Sequence, residues 1–380
     1  MQVHFIDNQE SLKTICQQFA QSDFLALDTE FVRQTTYYPI LALIQICDGQ
    51  QIAIIDPIAI EDLSPLMAVL YNKNIPKVIH SARQDMEIFY YLNQSVPEAL
   101  FDTQVSAALL GSGEQIGYAA LVKRLLNVDL DKSQTRTDWL KRPLTKKQID
   151  YAADDVRYLA KLYPLQKQKL QTLGRLSWLE KDFQFLSSNS TYAPSPDTIW
   201  KKTKGINKLK KQKLAILKNL AALREELAIK QNRPRRRIIA DDVLIELSIN
   251  PPANLNELQN CKGLSHQFIQ YNGEAIISLI QAGLNTPDED CPKLPVYEKL
   301  SQNEEALADC LMAIVHLSAH NNNISPRCLC SRKELDSLIK GRRDLAMLSG
   351  WRNELIGKLL LKFLAGNAQL TYKSGQLLFN

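Results

Sequence analysis

The stretch that most constrains this chain is Phe24-Leu25-Ala26-Leu27-Asp28-Thr29-Glu30-Phe31-Val32. Its apolar start predicts a buried strand. Side chains in a strand alternate between faces, so Asp28 and Glu30 point the same way. Neither carboxylate has an adjacent Lys, Arg or His. Two like charges on an otherwise apolar strand repel each other and resist burial. Two arrangements relieve this. One is a bound divalent cation; the other is an edge strand with a solvated acidic face. A bare D-x-E does not separate them.

A chain of 380 residues is long for one core and predicts two or three domains. Its 45% hydrophobic and 23% charged residues are ordinary for a globular protein. The N-terminus lacks the basic, apolar, small-residue order of a signal peptide. The run Leu359-Leu360-Leu361 is cut by Lys362, and no apolar run has bilayer length. The seven cysteines are scattered, and Cys328-Leu329-Cys330 has no partner set for zinc. A cytoplasmic protein with free thiols and no membrane contact is expected.

Charge divides the chain. Residues 1–190 carry 19 Lys and Arg against 22 Asp and Glu, a balance of −3. Residues 191–380 carry 27 against 19, a balance of +8. Lys201 to Arg237 alone holds 14 basic and 2 acidic residues. An acidic front on a basic back points to metal chemistry beside a polyanion-binding surface. A solvated helix face would also produce the basic run.

The pattern of the first half is strand and helix in alternation. Gln2 to Phe19 predicts a strand and a helix. Ile40 to Cys47 and Gln51 to Ile55 predict two strands, joined by the hairpin turn Asp48-Gly49-Gln50. Asp62 to Tyr71 predicts a helix, Lys77 to His80 a strand, and Arg83 to Leu92 a helix. Ala99 to Asp102 is a further strand and Val105 to Leu110 a helix. Thr145 with Gln148 has the form of a capping box, opening a helix through Tyr151 and Asp155 to about Tyr163. The fold class expected is α/β, a mixed sheet flanked by helices. Ser187 to Pro196 is a polar linker. Beyond it the chain reads as all helix. Leu209 to Gln231 is amphipathic, Asp241 is expected to cap a helix over 242–249, and 256–260 and 267–282 follow. Asp288 to Pro295 reads as a second linker. A similar plan recurs over 304–319, 331–340, 344–348 and 351–364, as two weak repeats of one module. The domain bounds expected are 1–190, 197–285 and 296–370.

Further acidic residues accompany the Asp28 strand. Asp85 follows strand 77–80 near the start of a helix. Tyr151 and Asp155, at i and i+4, share a helix face. Four carboxylates are what two hard cations require, since these prefer oxygen ligands and leave room for water and phosphate. Asp154 competes with Asp155, and Glu87 with Asp85.

These elements, Asp28-Thr29-Glu30, then His80-Ser81-Ala82-Arg83-Gln84-Asp85, then Tyr151-Ala152-Ala153-Asp154-Asp155, resemble the three motifs of the DEDD exonuclease superfamily. The Y-x-x-x-D form marks its DEDDy branch. Phe101 to Gln104, Lys132 to Trp139 and Arg142-Pro143-Leu144 resemble the ribonuclease D family in particular. The two helical modules resemble its C-terminal HRDC domains. The resemblance covers nearly the whole chain. It implies a ribonuclease H-like exonuclease domain followed by two small all-α HRDC-like domains.

It also implies an enzyme that hydrolyses nucleotides from RNA 3′ ends with two divalent ions, Mg²⁺ or Mn²⁺. Its substrates would be tRNA precursors or other structured RNA, and it would act as a monomer. By that carry-over, Asp28 bridges both ions, Glu30 and Asp155 hold one, and Asp85 binds the other directly or through water. Tyr151 orients the attacking water by its hydroxyl; with an ordinary pKa of about 10 it is a poor base. Alternatives are a DNA 3′→5′ exonuclease, or a non-catalytic RNA-binding protein that keeps the fold. Arg136, Trp139, Lys141 and Arg142 combine charge with an aromatic face and suit a phosphate backbone and a stacked base. A Trp packed under a loop is the equal alternative. Phe31 beside Glu30 is a candidate wedge against the last base, or a core residue.

Overall fold

The computed structural model describes residues 1–135, 137–294 and 298–380. Packing divides the chain into two units. Met1–Glu30, Ala42–Thr191 and Glu298–Asn380 form the first, and Phe31–Leu41 with Tyr192–Tyr297 the second. The segment after residue 298 therefore packs with the first half of the chain.

The first unit is built on strands β1 (Gln2–Ile6), β2 (Leu25–Val32), β3 (Ile40–Cys47), β4 (Gln51–Ile55), β5 (Lys77–Ile79) and β6 (Leu100–Asp102). Their order is β1-β4-β3-β2-β5-β6. The expected hairpin is present, with β3 and β4 antiparallel. The pairs β1/β4, β2/β5 and β5/β6 are parallel, so the sheet is mixed. Leu43, Ile44, Ile46, Ile52 and Ile54 are wholly buried, as apolar runs in central strands should be. Helices α1 (Gln9–Phe19), α2 (Ser64–Leu70), α3 (Arg83–Asn93), α4 (Thr103–Leu109), α5 (Tyr118–Leu126) and α6 (Lys146–Thr172) accompany the sheet. Because β2 and β5 run in parallel, their C-terminal ends leave the sheet on one edge. In open α/β sheets that edge is where ligands bind.

The capping box of α6 forms as expected, with Thr145 and Gln148 each satisfying the other's backbone N–H. The helix does not end at Tyr163 but continues through Pro164 to Thr172. An interior proline costs about 3 kcal/mol. Here the second half is held by buried Leu170 and by Gln166, whose amide donates to the Thr103 carbonyl at 3.1 Å. The linker at 187–196 includes a short helix, Asn189–Tyr192, and Asn189 accepts a hydrogen bond from the Val96 amide at 2.9 Å.

The last segment is fastened to the rest of the first unit by directional contacts. Arg175 donates to the Leu109 carbonyl at 2.8 Å and to the Asn322 carbonyl at 2.6 Å. Ser325 donates its amide to the Ala108 carbonyl at 3.1 Å. The Trp178 and Trp351 rings stack with centroids 4.5 Å apart. The expectation of helix to the end fails after residue 366. There β7 (Leu370–Lys373) and β8 (Gln376–Phe379) pair antiparallel. Ser374 and Gly375 between them both have positive φ, the backbone of a two-residue hairpin turn.

The second unit packs helices over 212–230, 241–249, 255–259 and 266–284 around Leu217, Leu220, Leu244, Ile276 and Ile280. Gly283 allows the first and last of these to touch, since a Cβ there would lie 2.7 Å from the Ile216 backbone. Segment 31–41 is gripped by this unit. The buried Tyr37 hydroxyl donates to Glu225, which also pairs with Arg235. Asn232 accepts from the amides of Tyr37 and Tyr38, both at 3.1 Å. Asp241 is not a cap: its helix begins at Asp241 itself, with no side-chain cap bond. Its carboxylate instead takes Arg224 at 2.7 Å and Arg236 at 2.9 Å. Asp288, in the expected second linker, is bonded to Lys211 and Gln212; Pro295 lies outside the described residues.

Candidate active site

Asp28 and Glu30 are the fourth and sixth of the eight residues of β2, toward the sheet edge just described. Asp85 lies in the first turn of α3, which follows β5 after a sharp turn with Ser81 at φ 61°. Asp102 holds that turn. Its carboxylate accepts from the amides of Ser81 at 3.2 Å and Ala82 at 2.8 Å, and also caps α4 through Gln104 and Val105. Asp102 thus ties the start of α3 to β6 through four backbone N–H groups, three on one oxygen and one on the other.

A cleft of about 420 Å³ opens at this edge, lined by Asp28, Glu30, His80, Tyr118, Tyr151 and Asp155 among others. Asp85 is 6% exposed and lies outside that lining. It accepts a hydrogen bond from the Thr29 hydroxyl at 2.5 Å, which straps it to β2 at the residue between Asp28 and Glu30 in sequence. Asp154 turns away from the competition with Asp155, paired with Arg157 one helical turn on. Glu87 accepts from the Tyr91 hydroxyl at 3.1 Å.

The electrostatics follow from burying four acids together. Burial, then the charges of Asp155 and Asp85, hold Asp28 well above the usual carboxylate range. Burial followed by Asp28 and Asp85 pushes Glu30 up to about 9. Burial pushes Asp85 up to about 7 against the Thr29 hydrogen bond, and burial with the Glu30 charge raises Asp155. Among the described residues, no Lys or Arg forms an ion pair with any of the four. Nor do three His, Cys, Asp or Glu side chains among those residues converge tightly enough to form a ready-made ion cage. The donor set is nonetheless all carboxylate oxygen, which fits a hard divalent cation. A cation would relieve the repulsion that raises these pKa values.

Burial, then the Asp155 charge, raises Tyr151 above its ordinary value, so it stays a phenol and a donor at neutral pH. Behind it lies Trp139, 3% exposed, with ring centroids 6.0 Å apart. Trp139 is therefore a packed support for Tyr151 and presents no free face to a base. His80 is lowered by burial and bonds Thr103 at 2.9 Å and the Ile116 carbonyl at 3.1 Å, so it too is a packed histidine.

Arg142 also departs from expectation. It donates to both oxygens of Asp56, at 2.5 and 2.8 Å, and to the carbonyls of Ala42 and Trp139, both at 2.7 Å. A guanidinium with its donors spent inside the fold is not a phosphate ligand. Arg142→Ala leaves the buried Asp56 unpaired, and a broken buried pair costs about 3 kcal/mol. Urea denaturation should show that loss with RNA affinity unchanged; weaker RNA binding at full stability would restore the phosphate role. Lys141 is exposed, and Phe31 is half-buried on β2, on the face opposite the carboxylates by strand alternation. Neither lines the cleft. Arg136 lies outside the described residues. Sequence reasoning missed Tyr118, Lys132 and Thr135 as cleft residues. Tyr118 could have been found from Gly117 followed by the helical spacing of Leu121, Val122 and Leu125.

Comparison with known proteins adds a family context. A 3′-5′ exonuclease family model matches residues 3–171, and the HRDC domain model matches residues 213–280. The chain is 37% identical to a ribonuclease D of Sphingobium indicum, covering 99% of this chain and 98% of that one. It is 36% identical to a ribonuclease D of Bartonella henselae, over 94% and 88%. Among solved structures it superposes on RNase D of Escherichia coli, described as an exoribonuclease involved in structured RNA processing, with a TM-score of 0.82 and 30% identity. That match covers 97% of this chain and 100% of the other.

Proposed function

The chain belongs to the ribonuclease D family and is a 3′→5′ exoribonuclease, and from that premise we propose that it trims the 3′ ends of tRNA precursors, releasing 5′-mononucleotides from the cleft described above. The observation that carries this reading is the gathering of Asp28, Glu30, Asp85 and Asp155 at one sheet edge, where burial raises all four and the charges of neighbouring members add to it at Asp28, Glu30 and Asp155. These four residues would hold two divalent ions, Mg²⁺ or Mn²⁺. When bound, such a pair lowers the pKa of water and clamps the attacking and leaving oxygens of a phosphodiester. Tyr151, protonated and backed by Trp139, would orient the attacking water by donating or accepting through its hydroxyl.

The basic run supports RNA binding only in part. Arg224, Arg235 and Arg236 are spent on Asp241 and Glu225. Lys201, Lys202, Lys204, Lys208, Lys210 and Lys213 are exposed. These lysines would hold the RNA backbone without reading sequence, and the binding would weaken with salt. The domain bounds at 1–190, 197–285 and 296–370, a monomeric state and a cytoplasmic location belong to the same proposal.

The test is digestion of a tRNA precursor carrying a 3′ extension, with products sized at nucleotide resolution. Stepwise release of mononucleotides with Mg²⁺ or Mn²⁺, absent with EDTA, is expected. Equal or faster degradation of a matched DNA end would overturn the RNA preference. Metal-independent cleavage would overturn the ion assignment.

A further inference from the structure

Tyr118 opens α5 with Gly117 at the N-cap, and its ring stands against His80 with centroids 5.5 Å apart. Its hydroxyl donates to the carbonyl of Asp155 and, at 3.1 Å, to that of Asp154. Those carbonyls lie inside α6, and the Leu159 amide, four residues beyond Asp155, also meets the Tyr118 oxygen. The Tyr118 hydroxyl thus engages the helix ladder itself at that point. It falls on the one turn of α6 that aims a carboxylate into the cleft, and Tyr118 itself lines that cleft.

The segment before Tyr118 is held just as firmly. The Ile116 carbonyl accepts from Gln104 at 3.1 Å and from His80 Nε2 at 3.1 Å. His80 in turn meets Thr103 at the head of α4. The apolar side of α5 packs through Leu121 and Val122 on Leu162 of α6. Tyr118 therefore joins two fixed bodies: the α4–His80 corner on one side and the Asp155 turn on the other.

We propose that Tyr118 is a positioning residue for hydrolysis: its hydroxyl, shared between the carbonyls of Asp154 and Asp155, fixes the rotation of that helix turn and so the direction of the Asp155 carboxylate. The inference rests on the assignment of Asp155 to the ion-binding set made above. A tyrosine that served only to pack would contribute its ring alone, which phenylalanine preserves, and one whose hydroxyl served only the fold would lose stability rather than kcat.

The experiment compares Tyr118→Phe with Asp155→Asn and the unsubstituted chain. Tyr118→Phe is expected to keep its melting temperature and its KM for RNA. Its kcat falls about 10- to 100-fold, the usual cost of losing a partner that orients an ion ligand. Mn²⁺ titration of the protein without RNA, followed by electron paramagnetic resonance, should show affinity weakened over the same range. Unchanged kcat and Mn²⁺ affinity in Tyr118→Phe, with Asp155→Asn inactive, overturns the positioning role alone. A raised KM at constant kcat also overturns it, since Tyr118 would then be a substrate contact. A Tyr118→Phe chain that no longer folds overturns it in favour of a structural role. Undiminished cleavage and Mn²⁺ binding by Asp155→Asn would instead remove the site reading itself.

Discussion

Asp28→Asn is expected to lower mononucleotide release by roughly 10³-fold or more, because losing the ion clamp forfeits several kcal/mol of transition-state stabilisation and each 1.36 kcal/mol is tenfold. Asparagine keeps the size and shape of the side chain, so the loss is one of charge. Asp28 is the carboxylate that feels both Asp155 and Asp85, and Glu30 feels it in return. Removing its charge disables the set while easing the repulsion inside it. The metal-free variant should therefore melt no lower than the unsubstituted protein, and RNA binding should persist. Single-turnover cleavage of a 5′-labelled RNA, with thermal denaturation in EDTA, checks both halves. Residual cleavage within tenfold of the original rate would sink the assignment.

The second large effect is a pH dependence of metal-free stability with an unusual sign. Glu30 titrates from 4.5 up to about 9 on folding, and Asp85 from 3.8 up to about 7. Asp28 and Asp155 move in the same direction. Over the window between the unfolded and folded values, the native state holds protons that the unfolded chain has released. Stability from these groups is thus complete below about pH 4 and is lost as pH rises through the folded values. Most carboxylates, held by cations in the native state, act the other way. Lys77, pushed down to about 8 by burial, restores stability above that pH, and His80, lowered by burial, offsets part of the fall below about pH 6.5, so the net fall is read from pH 5 to 8.

At about 1.4 kcal/mol for each pH unit of differential titration, the melting temperature in EDTA should fall by about 5 °C or more between pH 5 and 8. Saturating Mg²⁺ should cancel the fall, since an ion that binds only the native state competes with those protons. Asp28→Asn should flatten the slope. A melting temperature that rises across this range without metal would refute the electrostatic picture of the cleft.

Local patterns carried much of this in the primary structure. The Asp28-Glu30 alternation, the Thr145-Gln148 box and the i, i+4 spacing of Tyr151 and Asp155 depend on neighbours a few residues away, and each formed as the spacing requires. Trp139 and Arg142 could not be read this way. A Trp beside Lys and Arg has the same local signature whether it faces solvent or core. Only the approach of Asp56 and Ala42, 86 and 100 residues earlier, turned Arg142 inward. The helical spacing of α5 was present but hidden behind the glycine-rich run from Gly111 to Gly117, which reads as loop.

What the chain's order of residues determined by itself was the inventory: the acids, the tyrosine, the strands and helix caps that bear them, and the family to which their arrangement belongs. What only the folded molecule decided was partnership. It paired Asp154 with Arg157 and left Asp155 facing the cleft, strapped Asp85 behind Thr29, and set Tyr118 on the Asp155 turn. It also packed the final segment with the first half of the chain. The reason is physical. Secondary structure and side-chain period are set by short-range sterics and hydrogen bonds. Which buried polar group meets which depends on desolvation and contacts between residues far apart in the chain, and those exist only once it has closed on itself.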